Sequence, residues 1–78
     1  MKEELKRSIQ IYETLGIEVI KTDSRVIFSN PLSKRKVVIY IISHNLIKLV
    51  SYNNNKEVQS KEMKYHQKRV ENIIDYML

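Results

Sequence analysis

The sequence predicts an α+β domain in which an N-terminal and a C-terminal helix flank a four-stranded antiparallel meander. Three observations support this order. Apolar residues recur at helical spacing at both ends of the chain, apolar and polar residues alternate in two short segments between them, and six apolar residues follow one another at positions 37–42. Since 78 residues suit one domain, we expect residues 1–78 to form a single small α+β domain.

The first helix is predicted from apolar side chains spaced three and four residues apart. Its buried arc consists of Met1, Leu5, Ile9, Tyr12 and Leu15. Gly16, the only glycine of the chain, comes directly after this arc, where helices commonly end with a left-handed residue. The sequence therefore predicts that the helix ends at Gly16.

Two short amphipathic strands are predicted at residues 17–22 and 25–30, because the two polar residues between them suit a tight turn. A two-residue turn at this place fixes the register of the first hairpin. The register is given by the pairs Val19–Phe28 and Ile20–Ile27.

The apolar run at positions 37–42 predicts a third strand at about residues 36–43. A strand with one face in water alternates apolar and polar residues, so this strand is expected to be covered on both faces. A turn at His44-Asn45 leads to a fourth strand at residues 46–52. In that register both faces of the second hairpin are apolar. One of these faces consists of Val38, Tyr40, Ile42, Ile47 and Leu49, with Ser51.

The final helix is predicted to begin at about residue 56 or 60, with the three asparagines at 53–55 supplying an N-cap. Its apolar arc consists of Met63, Val70, Ile73, Ile74 and Met77, with His66 inside it. Three basic residues share another face of this helix at spacings i, i+3 and i+7: Lys61, Lys64 and Lys68.

The residue types argue against an enzyme. The chain has no cysteine, one glycine and two histidines, so it offers no thiolate metal site and no glycine-rich phosphate loop. No pair of carboxylates and no nucleophile elbow is present in a catalytic context. We therefore expect a protein that acts by binding, without a cofactor or metal ion.

The positive charge favours an acidic partner, nucleic acid first. The net charge of +5 comes from 14 basic and 9 acidic side chains. The densest charge is Lys34-Arg35-Lys36, and together with Lys61, Lys64 and Lys68 it forms a candidate phosphate-contacting surface. Duplex nucleic acid is the expected ligand, because no exposed aromatic residue interleaves either cluster. The alternative explanation of the triplet, that three charges keep a very apolar strand soluble, is favoured over phosphate binding. A solvated helix face explains the three lysines of the last helix about as well.

The apolar residues support a second hypothesis, a protein–protein interface. If both helices cover the same face of the sheet, the other face exposes an apolar patch of the kind that marks an interface. This patch consists of Ile20, Ile27, Val38, Tyr40, Ile42, Ile47 and Leu49. A homodimer that binds nucleic acid, and a module that binds a host protein, both remain open.

Composition and hydropathy bear on origin and location. The chain is rich in Ile, Lys and Asn and contains no Ala, which indicates an A/T-rich genome and is compatible with a phage or viral gene. It has no signal-peptide pattern and no apolar run that approaches the roughly 18–20 residues of a membrane span. A cytoplasmic protein without a membrane partner is expected.

Overall fold

Five antiparallel strands form one sheet, and two helices pack on one of its faces. The computed structural model describes residues 3–77, with side chains described for residues 9–76. The elements are α1 (Glu3–Thr14), β1 (Glu18–Lys21), β2 (Arg25–Asn30), β3 (Arg35–Ile41), β4 (Leu46–Asn53), β5 (Lys56–Lys64) and α2 (Gln67–Met77). The strands lie side by side in chain order. The predicted α+β class and antiparallel meander are confirmed, whereas the count of four strands is one too low.

Helix α1 ends in a Schellman motif at Gly16. The φ angle of Gly16 is +87°, in the left-handed region. The Gly16 N–H donates to the carbonyl oxygen of Glu13 at 3.1 Å, and the Ile17 N–H donates to that of Tyr12 at 3.0 Å. The predicted end of the helix is confirmed.

The first hairpin has the predicted register. Val19 pairs with Phe28, and Ile20 pairs with Ile27. The Thr22 N–H donates to the Arg25 carbonyl oxygen at 2.9 Å and closes the two-residue turn. A short turn fixes the pairing of a hairpin by itself, so local sequence was sufficient here.

The predicted register of the second hairpin is wrong by one residue. A two-residue turn at His44-Asn45 would pair Ile42 with Ile47, but in the structure Ile41 pairs with Ile47. The N–H groups of Ile42 and Ser43 both donate to the Leu46 carbonyl oxygen, at 3.0 and 3.1 Å, so that the loop holds three residues. Since side chains alternate between faces, a shift of one residue moves all those of β4 to the other face.

Residues 56–64 form strand β5, whereas a helix beginning at 56 or 60 was predicted. Asn54 and Asn55 have φ angles of 56° and 68°, and the residues on either side of them pair with each other. Two positive φ angles characterise the type I′ hairpin turn, which asparagine tolerates. These asparagines therefore join two strands, and the predicted N-cap at this place is wrong.

Helix α2 begins only at Gln67, and His66 caps it. The His66 ring accepts a hydrogen bond at Nδ1 from the Arg69 N–H, 3.4 Å away. The His66 side chain is exposed, so its predicted place inside the apolar arc is wrong. Val70 and Ile74 of the predicted arc are buried at 1% and 0% exposure.

The core lies between the two helices and one face of the sheet, which we call the covered face. Its buried residues are Ile9, Tyr12, Val26, Phe28, Val37, Ile39, Ile47, Leu49, Met63, Val70 and Ile74. Leu15, predicted on the buried arc of α1, is 70% exposed, so this part of the prediction is wrong. The other predicted arc positions Met1, Leu5 and Met77 fall outside the described side chains.

Tyr12 connects α1 both to α2 and to the sheet. Its hydroxyl donates to Asp75 Oδ1 at 2.7 Å and to the Glu71 carbonyl oxygen at 3.1 Å. Its ring meets that of Phe28 edge to face, with the centroids 5.5 Å apart. Burial raises the pKa of Tyr12 well above its usual range, and the hydrogen bond to Asp75 raises it further.

Replacing Tyr12 with phenylalanine is expected to lower the free energy of unfolding by about 1.5–3 kcal/mol, because it removes a hydrogen bond to a carboxylate. The raised pKa of Tyr12 makes this contribution complete below pH ~10, and the contribution is lost as the pH rises above that value. The stability difference between wild type and Tyr12→Phe should therefore shrink between pH 8 and pH ~10.5. Urea denaturation at both pH values measures this stability difference. An unchanged difference would contradict a stabilising hydrogen bond from the Tyr12 hydroxyl to Asp75.

Candidate functional site

The face of the sheet opposite to the helices, which we call the open face, consists of rows of side chains that pair across the strands. The middle row is apolar and contains Ile20, Ile27, Val38 and Val50, followed by Ser60 at the β5 edge. One flanking row contains Glu18, Ser29, Lys36, Tyr52 and Glu57. The other flanking row contains Arg25, Tyr40, Lys48 and Glu62.

Two tyrosines cover the centre of the open face. Val38 and Val50 are only 4% and 3% exposed, although no helix lies over them. Tyr40 and Tyr52 stand at opposite ends of this valine pair, about 13 Å apart along the strands, and their hydroxyls are close enough for Tyr40 to raise the pKa of Tyr52. The hydroxyls can meet only if both side chains extend toward each other across the valines. The rings therefore lie over the sheet, and both remain partly exposed.

The hydroxyl of Tyr52 is held in its neutral form. Burial, the neighbouring Tyr40 and the carboxylate of Glu57 raise the pKa of Tyr52, while the positive charge of Arg25 acts in the opposite direction. Lys36 lies above the same ring, with its Nζ 4.9 Å from the ring centroid, in the geometry of a cation–π contact. Tyr52 thus interacts with residues of three other strands, β2, β3 and β5.

The charges of the open face are basic in the centre and mostly acidic at the edges, where Lys64 of β5 is the basic exception. On its side of the described strands β2, β3 and β4, the charged residues are Arg25, Lys36 and Lys48. The acidic residues of this face lie on the two edge strands, and they are Glu18 on β1 and Glu57 and Glu62 on β5. A positive strip therefore runs along the three central strands, β2, β3 and β4.

The strip has a signature in the sequence. The pattern Lys-x-Val-x-Tyr occurs at residues 36–40 and again at residues 48–52. Antiparallel pairing of these two segments sets Val38 opposite Val50, so that a local two-fold relates the two copies. Arg25, Lys48 and Tyr52 were not among the predicted site residues. The predicted register placed Lys48 and Tyr52 on the face opposite to Tyr40, whereas the structure places them on the same face.

The basic triplet at positions 34–36 lies at the end of the sheet where β2 joins β3. Lys34 has a φ angle of 58°, and its carbonyl oxygen accepts from the Asn54 N–H at 2.9 Å, which ties this loop to the β4–β5 turn. Between the two turns lies a groove of about 280 Å³, lined by Ser29, Asn30, Pro31, Lys34, Arg35, Lys36, Asn54 and Asn55. Of the triplet, Lys36 belongs to the open face, whereas Arg35 follows the alternation onto the other face.

The other three predicted basic residues do not share a helix face. Lys61 and Lys64 lie on β5 and, three positions apart, point to opposite faces, whereas Lys68 lies in the first turn of α2. Lys64 pairs with Leu46, six positions along β4 from the partner of Lys36, which separates Lys64 from the triplet by about 20 Å. The predicted joint cluster is therefore not formed.

The predicted apolar patch is divided between the two faces. Ile20, Ile27, Val38, Tyr40 and Ile42 belong to the open face. Ile47 and Leu49 are each 3% exposed and lie in the core under the helices, because of the shifted register. Their assignment to an exposed interface is corrected accordingly.

Among the described residues, no three His, Cys, Asp or Glu side chains are grouped closely enough to hold a metal ion. Neither helix has, over the described part of the chain, the length and hydropathy needed to cross a membrane. Comparison with protein-family models, with curated proteins and with solved structures finds no significant match to this chain.

Proposed function

We propose that this chain is a non-enzymatic nucleic-acid-binding protein that contacts its ligand with the open face of the sheet. The observation that supports the proposal best is the charge of the central strands. Arg25, Lys36 and Lys48 come from three neighbouring strands, and no acidic residue stands among them on that face of β2–β4. Positive charge held on a rigid element neutralises phosphates and releases their counterions, which drives association.

Two further lysines extend the positive strip toward the ends of the sheet. Lys34 lines the groove beside Lys36, and Lys64 stands on the open face at the far end of β5. The length from the level of Lys36 to that of Lys64 is about 20 Å, enough for several phosphates of one backbone. A cytoplasmic location belongs to this proposal, since nucleic acid is present there.

Salt dependence tests the proposal. With three to five phosphates neutralised, the logarithm of the association constant should fall with the logarithm of salt concentration at a slope of about −2 to −4. Fluorescence anisotropy of an end-labelled oligonucleotide, titrated with protein at several salt concentrations, measures this slope. Absence of binding at low salt, or a slope near zero, would contradict the proposal.

Exposed isoleucines favour a second candidate function, a protein–protein contact. Ile20 and Ile42 are 58% and 49% exposed on the open face, where a second copy of the chain or a host protein could bury them. Light scattering after size-exclusion chromatography distinguishes a homodimer from a monomer. If Ile20→Lys converts a dimer into a monomer without changing nucleic-acid binding, the two functions use different parts of the open face.

A further inference from the structure

We infer that the ligand of the open face is single-stranded nucleic acid, and that its bases stack on the rings of Tyr40 and Tyr52. This inference rests on the proposed function and narrows it to one class of nucleic acid. It replaces the expectation of a duplex, which assumed that no exposed aromatic residue stands among the basic ones.

The rings offer surfaces on which a base can stack. Tyr40 and Tyr52 flank the buried valine pair on the open face, and both stay partly exposed there. Both tyrosines are held on paired strands, and Lys36 lies 4.9 Å from the centroid of the Tyr52 ring. Stacking on such rings requires bases that are free of a partner, as in a single strand; the bases of a duplex are stacked on one another instead.

Each ring also has a lysine beside it. Lys36 is the cross-strand partner of Tyr52, and Lys48 is the cross-strand partner of Tyr40. A base on either ring would therefore have an ammonium group within reach of its own phosphate. Arg25, the neighbour of Tyr40 on β2, adds a third cation beside the same pair. Aromatic rings combined with cations along one path are typical of surfaces that bind single strands.

The acidic edges disfavour a duplex. From β2 to β4 the positive strip is about 10 Å wide, because neighbouring strands lie about 4.8 Å apart. The two backbones of a duplex are separated by a major groove of about 12 Å, so a duplex centred on the strip would place a backbone over the edge strands. Those strands present the carboxylates of Glu18, Glu57 and Glu62. One backbone fits the strip, and two do not.

The same charges disfavour a second copy as the occupant. In a face-to-face dimer the same patch of both subunits meets across a two-fold axis. Arg25, Lys36 and Lys48 of one copy would then approach their counterparts in the other without carboxylates between them. Like charges brought together at an interface oppose association, whereas phosphates neutralise them.

The tyrosines are tested with matched variants of the full chain. Tyr40→Leu/Tyr52→Leu removes both rings, and Tyr40→Phe/Tyr52→Phe keeps them while removing the hydroxyls. The probes are an end-labelled single strand of about 16 deoxythymidines and a mixed-sequence duplex of the same length. We expect wild type to prefer the single strand, the leucine variant to bind it about 10- to 100-fold more weakly, and the phenylalanine variant to stay within a few-fold of wild type.

Intrinsic fluorescence gives a second measurement. The chain contains five tyrosines and no tryptophan, so bases that stack on two of the rings should quench a measurable share of the protein emission. Preference for the duplex, or equal single-strand affinity of wild type and the leucine variant, would overturn the inference. If binding then still weakens with salt, the proposed function stands without the stacking. If neither probe binds at low salt, both the proposed nucleic-acid binding and the stacking on the tyrosines are contradicted. A wild-type dimer that the leucine variant converts to a monomer would assign the open face to a second copy.

Discussion

Replacing Phe28 with alanine is expected to lower the free energy of unfolding by about 3–5 kcal/mol. Phe28 is fully buried at 0% exposure and contacts the ring of Tyr12, through which α1 is attached to the sheet. A domain of this size has a total stability of about 4–12 kcal/mol, so the loss is a large part of it. The variant should be substantially unfolded at moderate urea concentrations, where wild type remains folded.

Ile20→Ala provides the matched control for this prediction. Ile20 lies on the same hairpin but is 58% exposed on the open face. Its truncation should cost less than about 1 kcal/mol, because little apolar surface is returned to water. Urea denaturation followed by circular dichroism measures both variants. Equally small losses of stability in Phe28→Ala and Ile20→Ala would contradict the placement of the core under the covered face.

Reversing two charges on the open face should have the largest effect on binding. Lys36→Glu/Lys48→Glu removes two phosphate contacts and replaces them with repulsion beside both tyrosines. The expected loss of affinity for a single strand is about 100-fold or more at low salt, and the remaining binding should depend less on salt. The two lysines are half-buried, so a melting curve must first show that the variant is folded.

The control for charge reversal is Lys61→Glu/Lys68→Glu. Both residues are exposed, neither lies on the open face, and the change lowers the net charge of +5 by the same amount. This control should bind within a few-fold of wild type, because distant surface charges are largely screened at physiological salt. Equal losses in the two double variants would mean that binding follows net charge alone, which would contradict a site on the open face.

Local signals predicted the end of α1 and the register of the first hairpin correctly. Gly16 ends α1 because a left-handed residue is needed there, and a two-residue turn sets the register of the first hairpin. Both features depend on a few neighbouring residues. Nothing farther along the chain is required to place them.

The rest of the fold depends on contacts between distant segments. Residues 56–64 are rich in Lys, Glu and Gln, which favour helices, and they form a strand because β4 offers them an edge to pair with. Only Met63 of these nine residues is buried, so the strand has almost no apolar alternation to reveal it. The asparagine pair at 54–55 was the available indication of a turn between two strands. It was interpreted as a helix cap, whereas in the structure it forms a hairpin turn.

The candidate site was missed for a related reason. The two Lys-x-Val-x-Tyr segments are visible in the sequence, but only the register between β3 and β4 places them on one face. A loop of three residues in place of two decided that register, and the composition of positions 43–46 does not distinguish the two lengths. Basic residues were therefore grouped by proximity along the chain, while the structure groups them across strands.

Mapping the contact by NMR will show whether the open face binds a single strand between its edge strands. Amide chemical shifts of the 15N-labelled protein would be followed while an unlabelled strand of about 16 deoxythymidines is added. We expect the largest changes at open-face positions of the central strands, namely Arg25, Ile27, Lys36, Val38, Tyr40, Lys48, Val50 and Tyr52. Changes concentrated on α1 and α2, or no change at low salt, would contradict it.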